Sequence, residues 1–369
     1  MNIGVTLRKL RRERDMTQEQ LAEYVNVSAQ AVSRWETGAA LPDIAQLPVL
    51  AHIFDVTTDT LLGVDIAAKE AKIEQIAIDT WENYSAKGRG LDAIEILRGA
   101  LKEYPNSYRL MGRLAFELHH NQEKQPNFSN DEVIALCEKV LAECTDDSIR
   151  HSMIQTLCYA YKQCGEHDKT ISLATKMPTT VLSREHLLCE TLRGTKRYER
   201  RQSTIHSDMD TVLRYMRYHN ITLDSGDTAY NLDEYIALQH KVLDMYNILY
   251  EDGNCGFDHC RLMETHRHLS FLYMKKGDEP AALKHLRQAA NHAIIFDKES
   301  RDTNLEYTCL LFRGMKQYEG YSSSSPDNNA SELLNEYLIK PELDPIRQHP
   351  EFIAIEDELR KNAGPRWLQ

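Results

Sequence analysis

Apolar residues recur every three or four positions along almost the whole chain, the period of amphipathic helices rather than strands. Over the first 63 residues the period breaks and restarts. Ile3, Leu7 and Leu10 make one stripe, Leu21, Ala22 and Val25 a second, Val32 and Trp35 a third, and Ile44, Leu47, Leu50, Ile53, Phe54, Leu61 and Leu62 the remainder. Thr17 stands where the second stripe needs an N-cap, and Gln20 completes a capping box. Ser28 caps the third, with Val27 placed as a hydrophobic staple toward Val32. Pro42 suits a helix start, whereas Pro48 predicts a kink in the fourth helix.

Three residues between the second and third helices force a steep crossing, which leaves the outer face of the third free to enter a groove about 12 Å wide. That face carries Ala29, Gln30, Ser33 and Arg34. The stretch reads Thr-Gln-x-x-Leu-Ala from Thr17 to Ala22, then Val27-Ser28, then Trp-Glu-x-Gly from Trp35 to Gly38. With these motifs, residues 3 to 63 resemble the lambda-repressor-like (Cro and repressor, XRE) five-helix DNA-binding domain. The resemblance implies that Gln18 holds a phosphate and that Gln30 and Arg34 reach base edges, glutamine pairing with adenine and arginine with guanine. Ser28, Ser33, Thr37 and the Gly38 backbone are expected on phosphates, which position without reading sequence. Ala29 offers a methyl group to a thymine methyl. Arg11 and Glu36 occupy the family's paired positions and are read as structural, and Trp35 as core.

Charge modifies this picture. Residues 1 to 65 hold six Lys or Arg against nine Asp or Glu, a net charge of −3, so the rest of the chain carries −9 of the total −12. Without a broad basic surface, phosphate attraction falls to local patches. The obvious one is Arg8, Lys9, Arg11, Arg12 and Arg14. So few cations predict weak binding by one domain, hence a homodimer on a two-fold double-stranded DNA operator with half-sites one turn apart.

Beyond residue 65 an internal repeat is visible. Trp81-x-x-Tyr84, Ala93, Leu97, Ala100 and Pro105 make one unit, and Ala115, Leu118, Val133, Cys137 and Val140 another. A third has Leu157, Cys158, Tyr161, Gly165, Thr170 and Ala174, and the clearest copy has Leu269, Ser270, Tyr273, Gly277, Ala282, Leu286 and Ala289. Trp81 to Ala115 is 34 residues, and these spacings resemble the tetratricopeptide pattern. Leu187 to His219 and Asn231 to Tyr250 are inferred as two divergent units. Stacked pairs share a continuous core and expose a concave wall. In the repeat register that wall includes Arg109, Phe116, His119, Gln155, Tyr159, Lys162, Glu264, Arg267 and Phe271, a polar and aromatic lining suited to an extended peptide. Tyr321 to Asn329 reads as a flexible polar linker, and Pro341 to Phe352 as the turn before a capping helix with Ile353, Ile355 and Leu359 inward.

The expected architecture is therefore all-α: a DNA-binding domain over residues 1–65, tetratricopeptide-like repeats over 66–320, and a linker with a capping helix over 321–369. A repressor-like head on such a body resembles the peptide-sensing regulators of Gram-positive bacteria. That resemblance implies a peptide that changes the superhelix and the spacing of two heads.

Other chemistry is argued against. Cys255, His259, Cys260, His266 and His268 are zinc-ligand types, but their spacing fits no standard finger, and packing at a helix entry is the preferred reading. A phosphate loop, a nucleophile elbow and a His-Glu-x-x-His helix are all missing, so no enzyme, cofactor or metal is expected. No apolar run approaches about 20 residues, and the polar start lacks a signal-peptide core, so a cytoplasmic protein with reduced cysteines is expected. The function expected is a dimeric transcriptional repressor, with a protein-capturing scaffold or an antitoxin-like regulator as the alternatives.

Overall fold

The computed structural model describes residues 3–63, 66–122, 128–319, 321–323 and 325–366. The chain divides into two compact units, Met1–Ile78 and Asp79–Gln369. It is all-α, a helix-turn-helix domain followed by a helical-repeat-like region. Among the described residues the only extended pairings are isolated bridges.

In the first unit α1 (Ile3–Glu13), α2 (Gln18–Tyr24), α3 (Ala29–Thr37), α4 (Leu47–Ile53) and α5 (Thr58–Leu61) are followed by α6 (Ile66–Asp79). Ile3, Leu7, Leu21, Ala22, Val25, Val32, Trp35, Leu50, Phe54 and Leu61 form one buried cluster, with Val27, Leu47, Ile53 and Leu62 packed on it. Two expectations are corrected here. Ile44 is 81% exposed, because Ile44–Gln46 is a separate 3-10 turn capped by Asp43. Pro48 kinks nothing, since α4 begins at Leu47 and its first turn has no N–H partner to lose.

The second unit opens with a π-type turn, Thr80–Ser85, then α7 (Gly90–Glu103), α8 (Tyr108–His120), α9 (Asn130–Glu143), α10 (Asp147–Gln163) and α11 (His167–Ala174). There follow α12 (Arg184–Thr191), α13 (Gly194–Arg217), α14 (Leu232–Leu249), α15 (His259–Lys276), α16 (Glu279–Glu299), α17 (Asn329–Glu332) and α18 (Pro350–Asn362). The repeat positions Ala93, Leu97, Ala115, Leu118, Val133, Cys137, Val140, Leu157, Leu269, Ala282, Leu286 and Ala289 are buried. Two are not. Trp81 is 38% exposed in the π-type turn, whose altered period rotates side chains off the helical register. Ala174 is exposed on α11, a helix with no buried residue.

The C-terminal segment also departs from expectation. Of Tyr321 to Asn329, Asn328 and Asn329 are buried, Ser323 N donates to Ala86 O at 2.8 Å, and Asp297 accepts from the Asn329 and Ala330 amides at 2.9 and 2.8 Å. Its polar residues bond the body instead of water. Phe352, Ile355 and Leu359 of α18 share a cluster with Leu283 and Leu286 of α16, whereas Ile353 is 44% exposed.

Candidate nucleic-acid interface

The geometry of α2 and α3 follows from their caps. Thr17 Oγ1 accepts from Gln20 N at 3.2 Å while Gln20 Oε1 accepts from Thr17 N at 2.8 Å, and Ser28 Oγ accepts from Ala31 N at 3.2 Å. Between them Asn26 takes a left-handed conformation, φ 54°, which lets Val27 N return to Ala22 O at 2.9 Å. Asparagine tolerates that region because its short polar side chain bonds locally. Its role went unread in the sequence.

A buried polar cluster then locks α3 to its neighbours. Glu36 accepts from Arg11 Nε at 2.6 Å, from Arg11 Nη2 at 3.0 Å and from Gln18 Nε2 at 2.8 Å, while Arg11 Nη1 donates to Met16 O at 2.6 Å. Burial pushes the Glu36 carboxyl up. The hydrogen bonds from Arg11 and Gln18, with the charges of Arg11 and Arg8, outweigh it and hold the group below its ordinary 4.5. Arg11 and Glu36 are structural, and so is Trp35, 6% exposed in the core.

Gln30 and Arg34 are exposed, and their spacing of four puts them on one helical face. Ser33 is half-buried, and Ala29 packs partly on the core cluster. The Ser28 hydroxyl accepts in its cap, which leaves its own O–H to donate. Thr37 Oγ1 donates inward to Ser33 O at 2.9 Å, and the Gly38 amide, φ 78°, closes α3 on Trp35 O at 3.1 Å. Gln18 spends one amide hydrogen on Glu36 and keeps the other. Of the five clustered cations, Arg11 is inside and Arg14 caps α4 through Ile53 O at 3.0 Å and Phe54 O at 2.7 Å. Arg8, Lys9 and Arg12 face solvent.

The residues expected on the concave wall are only partly gathered. Phe116 meets Trp81 at 6.3 Å between ring centroids, and His119 stacks on Tyr159 at 5.9 Å, with Gln155 and Lys162 exposed on the same helix as Tyr159. Burial, then His120, lowers the His119 pKa. Arg109 is exposed at the start of α8. Arg113, not foreseen, lies 4.4 Å over the Trp81 ring and pairs with buried Glu117 at 3.0 Å. On α15 the contacts are different ones: Glu264 pairs with Arg217, Arg267 lies over Tyr337 at 5.5 Å, and Lys275 lies over Phe271 at 4.8 Å. A cleft of about 1080 Å³ between α13 and residues 314–319, with Tyr321 and Ser322, is lined by none of the expected wall residues.

The histidines of the expected helix entry have other partners. His259 Nδ1 lies 2.8 Å from His292 Nδ1, and His266 Nδ1 lies 2.9 Å from His285 Nδ1. Among the described residues no three His, Cys, Asp or Glu side chains are grouped to hold a metal ion.

Two capped helices, a four-residue turn and an exposed second-helix face define the first unit as a helix-turn-helix domain, and residues 7–61 match the helix-turn-helix family model. The HTH-type transcriptional activator BcrR of Enterococcus faecalis is 42% identical over 63 residues, 17% of this chain and 31% of that protein. The HTH-type transcriptional regulator ImmR of Bacillus subtilis is 33% identical over 70 residues, 19% and 55% respectively. The chain thus spans about half or less of these curated relatives. Bacillus thuringiensis PlcR, solved in complex with the peptide PapR7 and DNA, matches over 81% of this chain and 97% of its own, at 15% identity and a TM-score of 0.32.

Proposed function

We propose that this chain is a sequence-specific DNA-binding regulator of transcription, a cytoplasmic repressor that acts as a dimer on a two-fold operator. The observation that carries the reading is the pair Gln30 and Arg34, both exposed on a helix held by the Arg11, Glu36 and Gln18 cluster. Such a helix presents long donors to base edges without paying to order its own frame. Gln18, Ser28, Ser33, Thr37 and Gly38 are assigned to phosphates, and Ala29 to a thymine methyl. Ser28 and Gln18 retain free hydrogens for that task. The repeat-like region is assigned to dimerisation and to sensing a short peptide or a protein. The ring pairs at Phe116 and His119 beside exposed Gln155 and Lys162 support an extended peptide there.

The test is a gel shift on DNA upstream of the protein's own gene. Arg34→Ala is expected to cost roughly 1 to 3 kcal/mol of discrimination at one base pair, while Gln18→Ala weakens all sequences alike. Unchanged sequence preference in the Arg34 variant overturns the assignment.

A further inference from the structure

Helix α13 is the longest helix of the chain among those described, 24 residues, and it packs on α12 through Thr204, Arg197 and Arg201 and on α14 and α15 through Leu213 and Arg217, leaving a third face in solvent. Its inner face carries Leu213 and the fully buried Arg217, whose Nη1 donates to Glu264 Oε2 at 2.7 Å and to Arg261 O at 3.0 Å. Its outer face carries Tyr198 at 54% exposure, Ile205 at 38%, Val212 at 45% and Tyr215 at 64%. The first three stand seven residues apart, the spacing that keeps an apolar seam facing a second helix over its whole length. A row of large apolar side chains left in water on a soluble chain marks an interaction surface.

The charges on the same stripe say what covers it. Arg201 and Asp208 lie on the stripe, three residues beyond Tyr198 and Ile205, and flank Ile205 on either side. Two copies of α13 laid antiparallel about Ile205 bring Arg201 of each against Asp208 of the other, two symmetric pairs around one apolar centre. An isologous two-fold contact requires that self-complementarity. Parallel pairing would set arginine on arginine and aspartate on aspartate. Within one copy both charges already bond α12: Arg201 Nη2 meets exposed Glu190 at 3.0 Å and its Nε donates to Cys189 O at 3.3 Å, while Asp208 meets His186 at 3.2 Å. Each keeps about half of its side chain in solvent, 47% and 49%.

We infer that the outer face of α13 is a homodimer interface, occupied by the α13 of a second copy in antiparallel two-fold register. This rests on the dimeric reading above and names the surface it uses.

Light scattering and sedimentation of the full chain at micromolar concentration test it. The unaltered chain is expected to be a dimer, and Ile205→Asp to weaken dimerisation at least tenfold. Arg201→Asp alone and Asp208→Arg alone each place two like charges together and are expected to give monomers. An equimolar mixture of the two single variants restores both opposite-charge pairs and is expected to form the heterodimer, a recovery that misfolded variants cannot give. Dimers persisting in all three variants, or no recovery on mixing, overturn this surface and leave dimerisation itself standing. An unaltered chain that is monomeric overturns the surface and the dimeric reading together, while operator binding by the head is measured separately.

Discussion

Glu36 is a carboxylate in a core with 2% of its side chain exposed, and it stays charged because three hydrogen bonds converge on it. Its replacement by alanine strands the Arg11 guanidinium, 11% exposed, without a counter-charge. Removing one member of a buried pair costs about 3 to 5 kcal/mol, so Glu36→Ala is expected to unfold the head at about 3 kcal/mol less, read by urea titration of the full chain. The sign with pH follows from its lowered pKa: the contribution is complete above the ordinary value of 4.5 and is lost as pH falls through the folded one. Glu36→Gln is expected to remove that part of the acid sensitivity. The same cluster bears on base reading, since Gln18 cannot leave Glu36 for a phosphate with both amide hydrogens. Under the proposed phosphate assignment it bridges protein and DNA with one each.

At the scale of elements, α1 and α3 approach until a Cβ on Gly4 would lie 2.3 Å from Trp35 O and 3.0 Å from Glu36 O. Backbone cannot yield as a side chain does, so Gly4→Ala pushes the two helices apart. The expected loss is about 2 to 3 kcal/mol with weaker operator binding, because the helix that moves carries Arg34; an unchanged melting temperature would contradict the close packing. What was legible in the sequence was local. Caps at Thr17 and Ser28 and the three-or-four spacing of the apolar residues they introduce are written within a few residues of one another. The Pro48 kink failed because the 3-10 turn before it depends on Asp43 and not on apolar period. Trp81 failed because a π-type turn changes the period itself. The contact of Tyr337 on Arg267 was not legible because Tyr337 lies far along the chain.

For the repeat-like unit as a whole, the least legible feature is its row of histidines. Residues on α14, α15 and α16 bring His259 to His292, His292 to His266, His266 to His285 and His285 to His240, with ring centroids 5.0 to 5.5 Å apart. Burial lowers His259, His285 and His292 to about 4 and His266 to about 3, neighbouring imidazoles adding to it, while Asp258 acts the other way on His259. In the unfolded chain the same groups titrate near 6.5. Between these values the unfolded chain binds more protons, so stability is complete above about pH 6.5 and falls as pH drops toward 4. This window lies above that of Glu36, which separates the two units in one experiment. The melting temperature of the full chain's repeat-like unit is expected to fall steadily from pH 7 to pH 4.5. Replacing His266 and His285 together with asparagine and glutamine is expected to flatten that fall by removing two of the five imidazoles lowered to about 4 or below, His268 being the fifth. A melting temperature constant over this range would mean that the row takes up protons without resistance, and so that the imidazoles are not sealed between α15 and α16.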